Sequence, residues 1–523
     1  MRLWIGLHLP QLALDVFSPS WLSDASGGER TAPGSVVLEQ ERVLAMSPAA
    51  RAAGIRPGMR RGGVLMLMPG ARLHERSPAR EAEALDAVAL AMLQFTPQVA
   101  QQEEATLLLD IGASLRLFGG IRALCARVRA SLRTLGFSAA ISCAPTARGA
   151  WLLARAGSPG WSHDGAQGGR SGRPRRSLRA LRMASLERHL ARLPVALLPP
   201  ARPYLAWFEG IGCERLGELR RLPRPGLQRR CGRALLDMLD AAHGLQPELF
   251  DWVVAPDSFR ARLELFDRIE QAELLLAGAH HLVLQLTGWL CARQLAVERI
   301  TLLMEHERGR VAMAPTALEI ALAEPGWRDE HLVRLLKERL ARQALPAPVI
   351  GLGLEARQLR PMAPPTASLF PEPGGSEEDR MRMLELLVAR LGPENVLQAL
   401  PQADYRPEVA NEWVPVQELR AAGQGARSQA RLPPDLASLP RPSWLLAKPI
   451  ALLMRNHRPF YGSPLRVAST PERIEAGWWS ETQTRDYFIA EGQDHALYWI
   501  YRERIVGAGE DAEPRWYLHG LFG

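Results

Sequence analysis

SPAARAAGIRPGM, from Ser47 to Met59, is the stretch on which the reading of this chain turns. Ala49 to Ala53 predicts a short helix, which Gly54 can end by taking the left-handed conformation that other residues resist. Arg60 to Met68 predicts another short helix before the turn at Pro69–Gly70. Upstream, Leu3 to Leu9 (LWIGLHL) reads as a buried strand entering a turn at Pro10, and Val36 to Leu38 is a second apolar piece. Downstream, Pro78 to Phe95 is amphipathic, with Ala82, Leu85, Val88, Ala89 and Met92 at helical spacing. Ala105 to Ile111 is a strand, Gly119–Gly120 a turn, Ile121 to Leu135 a helix and Ala139 to Ser142 a short strand. Thr146 to Ala156 is a helix that Pro145 opens.

Farther along, Gly157 to Arg176 is rich in glycine and arginine and reads as an exposed linker or insertion. Ser177 to Phe250 is helical, with breaks at Pro199–Pro200, Gly210, Gly212 and Gly226. From Phe259 to Met362 the period changes: strands at Arg260–Phe266, Arg299–Glu305, Ala317–Leu322 and Val349–Leu359 alternate with helices at Gln271–Arg293 and Asp329–Gln343. That order is βαββαβ, two helices on one face of a four-stranded sheet. Ala363 to Ser376 is a Pro/Gly-rich linker, Glu377 to Leu391 a helix, and the remainder reads as short strands and hairpins rich in tryptophan.

The chain has 523 residues, enough for three or four domains, and 47% apolar with 23% charged residues is an ordinary globular composition. No run approaches the length of a membrane span and no signal peptide is apparent, so a cytoplasmic protein that does not engage a membrane is expected. Five scattered cysteines without a C-x-x-C pair fit a reducing compartment, and the histidines form no metal-binding spacing. Of 64 basic residues only Lys337 and Lys448 are lysines. No P-loop is present, and any lysine-dependent phosphate chemistry has no candidate in the first half. The net charge of +8 fits a nucleic-acid partner, although a solvated arginine-rich surface carries the same count.

In this order the pieces resemble a Y-family translesion DNA polymerase. The most specific is SPAARAAGIRPGM, similar to the fingers motif Y-E-A-R-x-x-G-V/I-x-x-G-M of that family. PERIEAGWW, RDYF and WYLHGLFG near the C-terminus look like the ImuB branch, polymerase-like subunits of bacterial mutagenesis cassettes. The resemblance implies an α+β multidomain fold, a right hand with a C-terminal β-rich extension. Residues 1–10 and 76–176 would be palm-like, 11–75 fingers-like, 177–255 a helical thumb with a helix-hairpin-helix, and 256–360 little-finger-like. Residues 361–376 would be a linker with a clamp-binding motif, and 377–523 an extension for partner recruitment.

Tested residue by residue, the family's chemistry is missing. Nucleotidyl transfer uses two hard divalent cations held by carboxylates. The first-strand pattern D-x-D-x-F-F falls on His8, Pro10, Leu12 and Ala13, and the second Asp-Glu pair falls on Ala105 and Thr106. His8 offers a borderline nitrogen instead of an anionic oxygen. Asp110 matches a strand residue of the motif. A two-residue register shift, which keeps side chains on the same face, would instead put Glu103–Glu104 in the pair's place. On the triphosphate side the motif tyrosine is Pro48, while Arg51 remains, either salt-bridged within the fingers or as a residual nucleotide contact. The family helix A-P-N-K…K becomes Ala144, Pro145, Thr146 and Ala147, with Trp151 at the later lysine. The expectation is a chain with no catalytic residues, no metal and no cofactor. The rival is an active polymerase with a site rebuilt from Glu103, Glu104 or Asp15, and a second rival is a plain DNA-binding protein.

DNA-binding features survive better. FEGIGCERLGELRRLPRPGLQRRCGR, Phe208 to Arg233, resembles the thumb hairpin. Gly210 and Gly212 would let backbone N–H groups approach a phosphate, and Arg215, Arg220, Arg221, Arg229, Arg230 and Arg233 would supply sequence-independent contacts. Thr366, Ala367, Ser368, Leu369 and Phe370 resemble the pentapeptide Q-L-x-L-F that docks into the bacterial sliding clamp, with threonine replacing glutamine. The tail aromatics Trp478, Trp479, Trp499 and Trp516 read either as the core of a small β domain or as a partner surface. The ImuB resemblance implies as partners, besides DNA and the clamp, an error-prone C-family polymerase and a RecA-like, ImuA-type accessory protein. It also implies a nucleoid-associated, cytoplasmic location.

Overall fold

In the computed structural model, which describes residues 2–25, 34–158, 178–307, 313–362, 377–402, 404–416, 440–476, 483–503 and 515–522, β1 (Trp4–His8) is an inner strand buried on both faces. It leads into the short helices α1 (Leu12–Asp15) and α2 (Ser20–Ala25). Strands β2 (Ser35–Glu39) and β3 (Arg42–Met46), helices α3 (Pro48–Ala52) and α4 (Arg61–Leu67), and β4 (Arg72–Glu75) then build a small layer with sheet order β3-β2-β4. Ser47 caps α3, its hydroxyl accepting the Ala50 N–H at 3.3 Å, and Pro48 fills the first helical position. Gly54 closes the turn at φ +93°, and Ala50, Ile55 and Val64 pack beneath it against Val36 and Leu38. Strands β3 and β4 were not anticipated, because each carries charged residues that dilute the alternation.

Helix α5 (Pro78–Met92), strands β5 (Val99–Gln102) and β6 (Thr106–Asp110), helix α6 (Ile121–Leu135), β7 (Ala140–Ala144) and α7 (Ala147–Ala156) follow. They complete a four-stranded sheet of order β5-β6-β1-β7, with β1 antiparallel to both neighbours. The cap of α7 is Thr146, whose hydroxyl accepts the Gly149 N–H at 3.2 Å; Pro145 stands one residue outside, contrary to the sequence expectation. Helix α7 lies directly on β1. A Cβ at Gly6 would sit 2.4 Å from the Ala150 carbonyl oxygen, so only glycine permits this approach.

Helices α8 (Met183–Leu190), α9 (Leu205–Gly210), α10 (Leu216–Leu219), α11 (Arg224–Cys231) and α12 (Arg233–Ala242) form the helical segment. Their core is continuous with α7: Trp151 and Leu152 share one apolar cluster with Leu186, Phe208 and Leu235. Leu245 to Val254 is not helical. Trp252 bridges Ala100, Val253 donates its N–H to the Val99 carbonyl at 2.8 Å, and Phe250 packs on Trp4 at 4.9 Å. This strap extends the sheet at β5, which the expected helix up to Phe250 missed.

The βαββαβ order is present as β8 (Arg260–Ile269), α13 (Ala272–Arg293), β9 (Leu295–His306), β10 (Thr316–Gly326), α14 (Asp329–Leu340) and β11 (Val349–Pro361). The sheet runs β10-β9-β11-β8 and every pairing is antiparallel. Leu302, Met304, Leu318 and Leu352 bury one face beneath α13 and α14. Helix α13 corrects one expectation: it is long and apolar enough for a membrane span, with mean hydropathy 1.4. His280, His281 and Gln285 interrupt its apolar runs, and 72% of that window is buried inside the protein, which makes it a core helix. Gly288 lets it lie against α5, since a Cβ there would meet the Leu90 carbonyl at 2.0 Å.

The chain divides into two compact units, Met1–Leu386 and Leu387–Gly523. Helix α15 (Glu377–Leu391) crosses that boundary. Within the second unit, β12 (Leu397–Pro401) pairs with β13 (Asn411–Pro415), and β14 (Trp444–Ala451) begins the main sheet. Strands β15 (Leu453–Arg455), β16 (Arg458–Tyr461) and β17 (Ser463–Pro464) form a small meander. Then β18 (Arg466–Val467), β19 (Glu472–Ala476), β20 (Gln483–Glu491), β21 (Leu497–Glu503) and β22 (Arg515–Leu521) complete a six-stranded sheet of order β14-β22-β21-β20-β18, with β19 also on β20. The expected α+β organisation with a strand-rich C-terminal region is therefore present.

Candidate functional site

The end of β1 is where the resemblance drawn from the sequence led us to expect a nucleotidyl-transfer centre. Register places His8 opposite Thr106 on β6 and opposite Ala140 on β7. The His8 Nδ1 lies 3.1 Å from the Thr106 hydroxyl, which donates to the Glu104 carbonyl at 3.0 Å. Burial pushes the His8 imidazole down to about 4, and the nearby Arg155 charge acts in the same direction, so the ring is neutral at pH 7.

Glu103, Glu104 and Ala105 form the β5–β6 turn, with Glu104 at φ 59° and Ala105 at φ 49°. Two successive non-glycine residues in the left-handed region need a compensating contact. They find it in ion pairs. Glu104 bridges Arg155 of α7 and Arg202, the latter at 2.6 Å, and Glu103 meets Arg148 at 3.0 Å. The Arg155 side chain is 3% exposed, donates to the Leu197 carbonyl at 2.9 Å and stands 4.2 Å over the Trp151 ring. Burial lowers its pKa to about 10, with Glu104 opposing. Trp151 itself is fully buried.

These groups do not fit a pair of divalent cations. The His8 nitrogen is already engaged with Thr106, the Glu104 carboxylate is shared by two guanidinium groups, and a buried positive charge occupies the neighbourhood. Among the described residues no three histidines, cysteines or carboxylates converge to hold a metal ion. Asp15 points elsewhere: it accepts the Ser138 N–H at 2.8 Å and borders a cleft of about 770 Å³ between α5 and β8. Burial raises its carboxyl to about 7. Arg51 is exposed and has no ion partner among the described residues. The roles of Arg148, Arg155 and Arg202 were missed; the one available signal was two adjacent glutamates in a chain where arginine is the prevailing cation.

The basic helical segment is arranged differently. Arg215, Arg220, Arg221, Arg229, Arg230 and Arg233 are all exposed. Arg220 reaches Glu187 at 3.7 Å and Arg233 reaches Asp237 at 3.5 Å, while Arg230 lies 4.7 Å over the Trp207 ring. Gly212 adopts φ +71° with open space around its Cα, and Gly210 ends α9. The hairpin N–H groups are used internally: Gly212 donates to Glu209 at 3.0 Å, Cys213 to Phe208 at 2.8 Å, and Glu214 and Arg215 both to the Glu218 carboxylate at 2.9 Å. Guanidinium groups, more than backbone amides, are what this surface offers to a phosphate.

In the second unit Trp499 is 2% exposed and stacks on Tyr487 at 4.1 Å, so of its two readings it takes the core one. Trp516 is half-buried beside Phe488. The exposed aromatics among the described residues of this unit are Tyr405, Trp413, Trp444 and Tyr461, which the sequence reading did not single out. Trp478, Trp479 and the segment Thr366 to Phe370 lie outside the described residues.

Comparison with known proteins adds a family context. Residues 29–155 match the impB/mucB/samB family. Over 497 residues, 90% of this chain and 100% of the relative, the chain is 28% identical to Protein ImuB of Caulobacter vibrioides (strain NA1000 / CB15N). The same figures, 28% over 497 residues, hold for Protein ImuB of Caulobacter vibrioides strain ATCC 19089 / CIP 103742 / CB 15. Among solved structures it is similar to a Dbh ternary complex with partially disordered substrates, at 15% identity over 68% of this chain and 98% of that one, with a TM-score of 0.36. It is likewise similar to an insertion ternary complex of Dbh DNA polymerase, at 13% identity over the same 68% and 98%, with a TM-score of 0.36.

Proposed function

We propose that this chain, a homologue of ImuB with a Y-family-like α+β architecture, is a non-catalytic polymerase-like scaffold in damage-induced mutagenesis. The observation that carries this reading is the end of β1: a neutral buried imidazole and a guanidinium held by Glu104 stand where carboxylates would grip two cations. In this reading residues 1–10 and 76–176 are the palm, 11–75 the fingers, 177–255 the thumb and 256–360 the little finger. The exposed thumb arginines bind DNA backbone without sequence preference. The peptide Thr366 to Phe370 engages the sliding clamp. The second unit recruits an error-prone C-family polymerase and a RecA-like accessory protein, and its exposed Trp413 and Trp444 support an interface role. A cytoplasmic, nucleoid-associated location follows from those partners.

Primer extension with Mg²⁺ or Mn²⁺ tests the central point. No extension is expected from the purified chain. Extension that disappears in the Glu103→Ala, Glu104→Ala double variant would show a rebuilt metal site and overturn the scaffold reading.

A further inference from the structure

The cleft that Asp15 borders holds buried polar groups for which the fold supplies no partner. Its volume is about 770 Å³, within the range of small-molecule pockets, and it lies inside the first unit among α2, α5, the end of α6, β8 and α13. Leu90, Phe137, Phe259 and Leu265 give it apolar walls. On α13, His281 and Gln285 stand one helical turn apart on the face that lines the cleft, and both are 6% exposed. The His281 Nδ1–H donates to the Leu135 carbonyl at 2.9 Å. Burial brings that ring down to about 4, so it is neutral at pH 7 and its Nε2 is left as an acceptor. The Gln285 amide makes no hydrogen bond among the described residues. A buried amide without a partner is costly, and most such groups find one, in protein, water or ligand.

The turn after α6 ties these groups together. Leu135 holds His281, and Ser138 donates its N–H to the Asp15 carboxylate at 2.8 Å. Between them Gly136, at φ +89°, makes room for Trp21, since a Cβ there would stand 2.6 Å from the indole Cδ1. Charge then selects the occupant. The three arginines that line the cleft are all taken: Arg80 meets Glu264 at 2.9 Å, Arg260 meets Glu355 at 3.3 Å and Arg262 meets Glu305 at 2.9 Å. Among its carboxylates Glu264 and Asp267 are paired, the latter with Arg72 at 3.0 Å. Asp15, Glu83 and Asp86 have no guanidinium partner among the described residues. The uncompensated charge is therefore negative, and the buried groups without a partner are mostly acceptors.

We infer that this cleft is a binding site for a small organic cation, an ammonium on an apolar body, whose N–H groups are accepted by the Asp15 carboxylate, the His281 Nε2 and the Gln285 amide oxygen. Phe137 and Phe259 supply ring surface for the apolar body and for the charge. A phosphate or carboxylate ligand finds no unpaired cation among these lining residues. The site is independent of the scaffold and DNA-binding readings given above.

The test is a ligand-observed NMR titration of the full chain with three probes that share a benzyl body: benzylammonium, neutral benzyl alcohol and anionic phenylacetate. Benzylammonium should bind about tenfold more tightly than either of the others. Asp15→Asn, which keeps side-chain shape, and Gln285→Leu should each weaken benzylammonium by about fivefold or more and leave benzyl alcohol within about twofold. The control Asp237→Asn makes the same charge change on α12, outside the cleft, and should stay within about twofold of wild type for every probe. Glu83→Gln, on the exposed surface of α5, should weaken benzylammonium by about two- to threefold, and it carries the test should the buried variants fold poorly. No saturable binding of benzylammonium below about 10 mM would overturn the inference. Equal binding of the three probes would also overturn it, leaving a water-filled apolar hollow. So would a preference for phenylacetate, or a loss of benzylammonium binding in Asp237→Asn as large as in the cleft variants.

Discussion

Arg148, Arg155 and Arg202 gather round Glu103 and Glu104 at the end of the first sheet, whereas Arg215, Arg221, Arg229 and Arg230 stand exposed on the helices and turns of the helical segment with no ion partner among the described residues. The residue type is the same and the physical use is opposite. In the first group the Arg155 guanidinium is withdrawn from water, its side chain 3% exposed, so its partner must be permanent. In the second the guanidinium keeps its hydration, which on the DNA-binding reading proposed above it would give up to a phosphate with release of counterions. An arginine count thus says nothing about nucleic acid until burial and partners are known.

The largest expected effect comes from breaking the buried group. Glu104→Ala leaves Arg155 without its carboxylate and should cost about 3–5 kcal/mol of stability. Glu103→Ala, whose carboxylate is 49% exposed, should cost less than about 1 kcal/mol. Urea unfolding of both variants measures the contrast, and equal costs would erase the distinction between the two groups.

Next in size is the exposed group. Arg229→Ala, Arg230→Ala, Arg233→Ala together should weaken DNA binding and flatten the salt slope by about 2–3, with little change in the unfolding midpoint. A fall in stability with an unchanged slope would move these arginines into the structural class.

The smallest effect is a pH dependence. His8 titrates at about 4 when folded and 6.5 when unfolded, so the unfolded chain binds the extra proton between those values. The stability tied to neutral His8 is therefore complete above about 6.5 and is lost as pH falls toward 4, at most about 1.4 kcal/mol per pH unit. The cost of His8→Asn should accordingly be larger near neutral pH than near pH 4.5 by at most about 2.7 kcal/mol, that slope carried over two pH units. A cost that does not vary with pH would mean that His8 is not held neutral by burial.

Local patterns were readable where one periodicity governs. The alternation at Arg260–Ile269 and Val349–Pro361, the helical spacing in Pro78–Met92, and the Ser47–Gly54 helix with its glycine stop are all present in the folded chain. What escaped depends on distant partners. Glu104 meets residues 51 and 98 positions away, and no spacing rule encodes that. The strap at Leu245–Val254 takes its extended form from the open edge of β5, and Trp499 is core because Tyr487 and His519 stack on it from neighbouring strands. Thr146 displaced Pro145 as the cap of α7 because its hydroxyl reaches both Gly149 and the Ala242 carbonyl.

The position of α7 has an evolutionary consequence. Trp151 and Arg155 sit on the side of this helix that faces both the sheet and the helical segment, and Gly6 presses the helix onto β1. On the scaffold reading proposed above, a lost carboxylate is in principle one codon from recovery. Here, restoring acids at His8 and Thr106 would set them beside an interior filled by an indole and an occupied guanidinium, and removing those would open the core shared by two structural layers. Each reverting step is harmful before the last one is useful. On that reading the packing works as a ratchet: selection on a lineage with this interior can refine what the chain binds, while the route back to a metal-bearing centre would be closed by the stability of this interior.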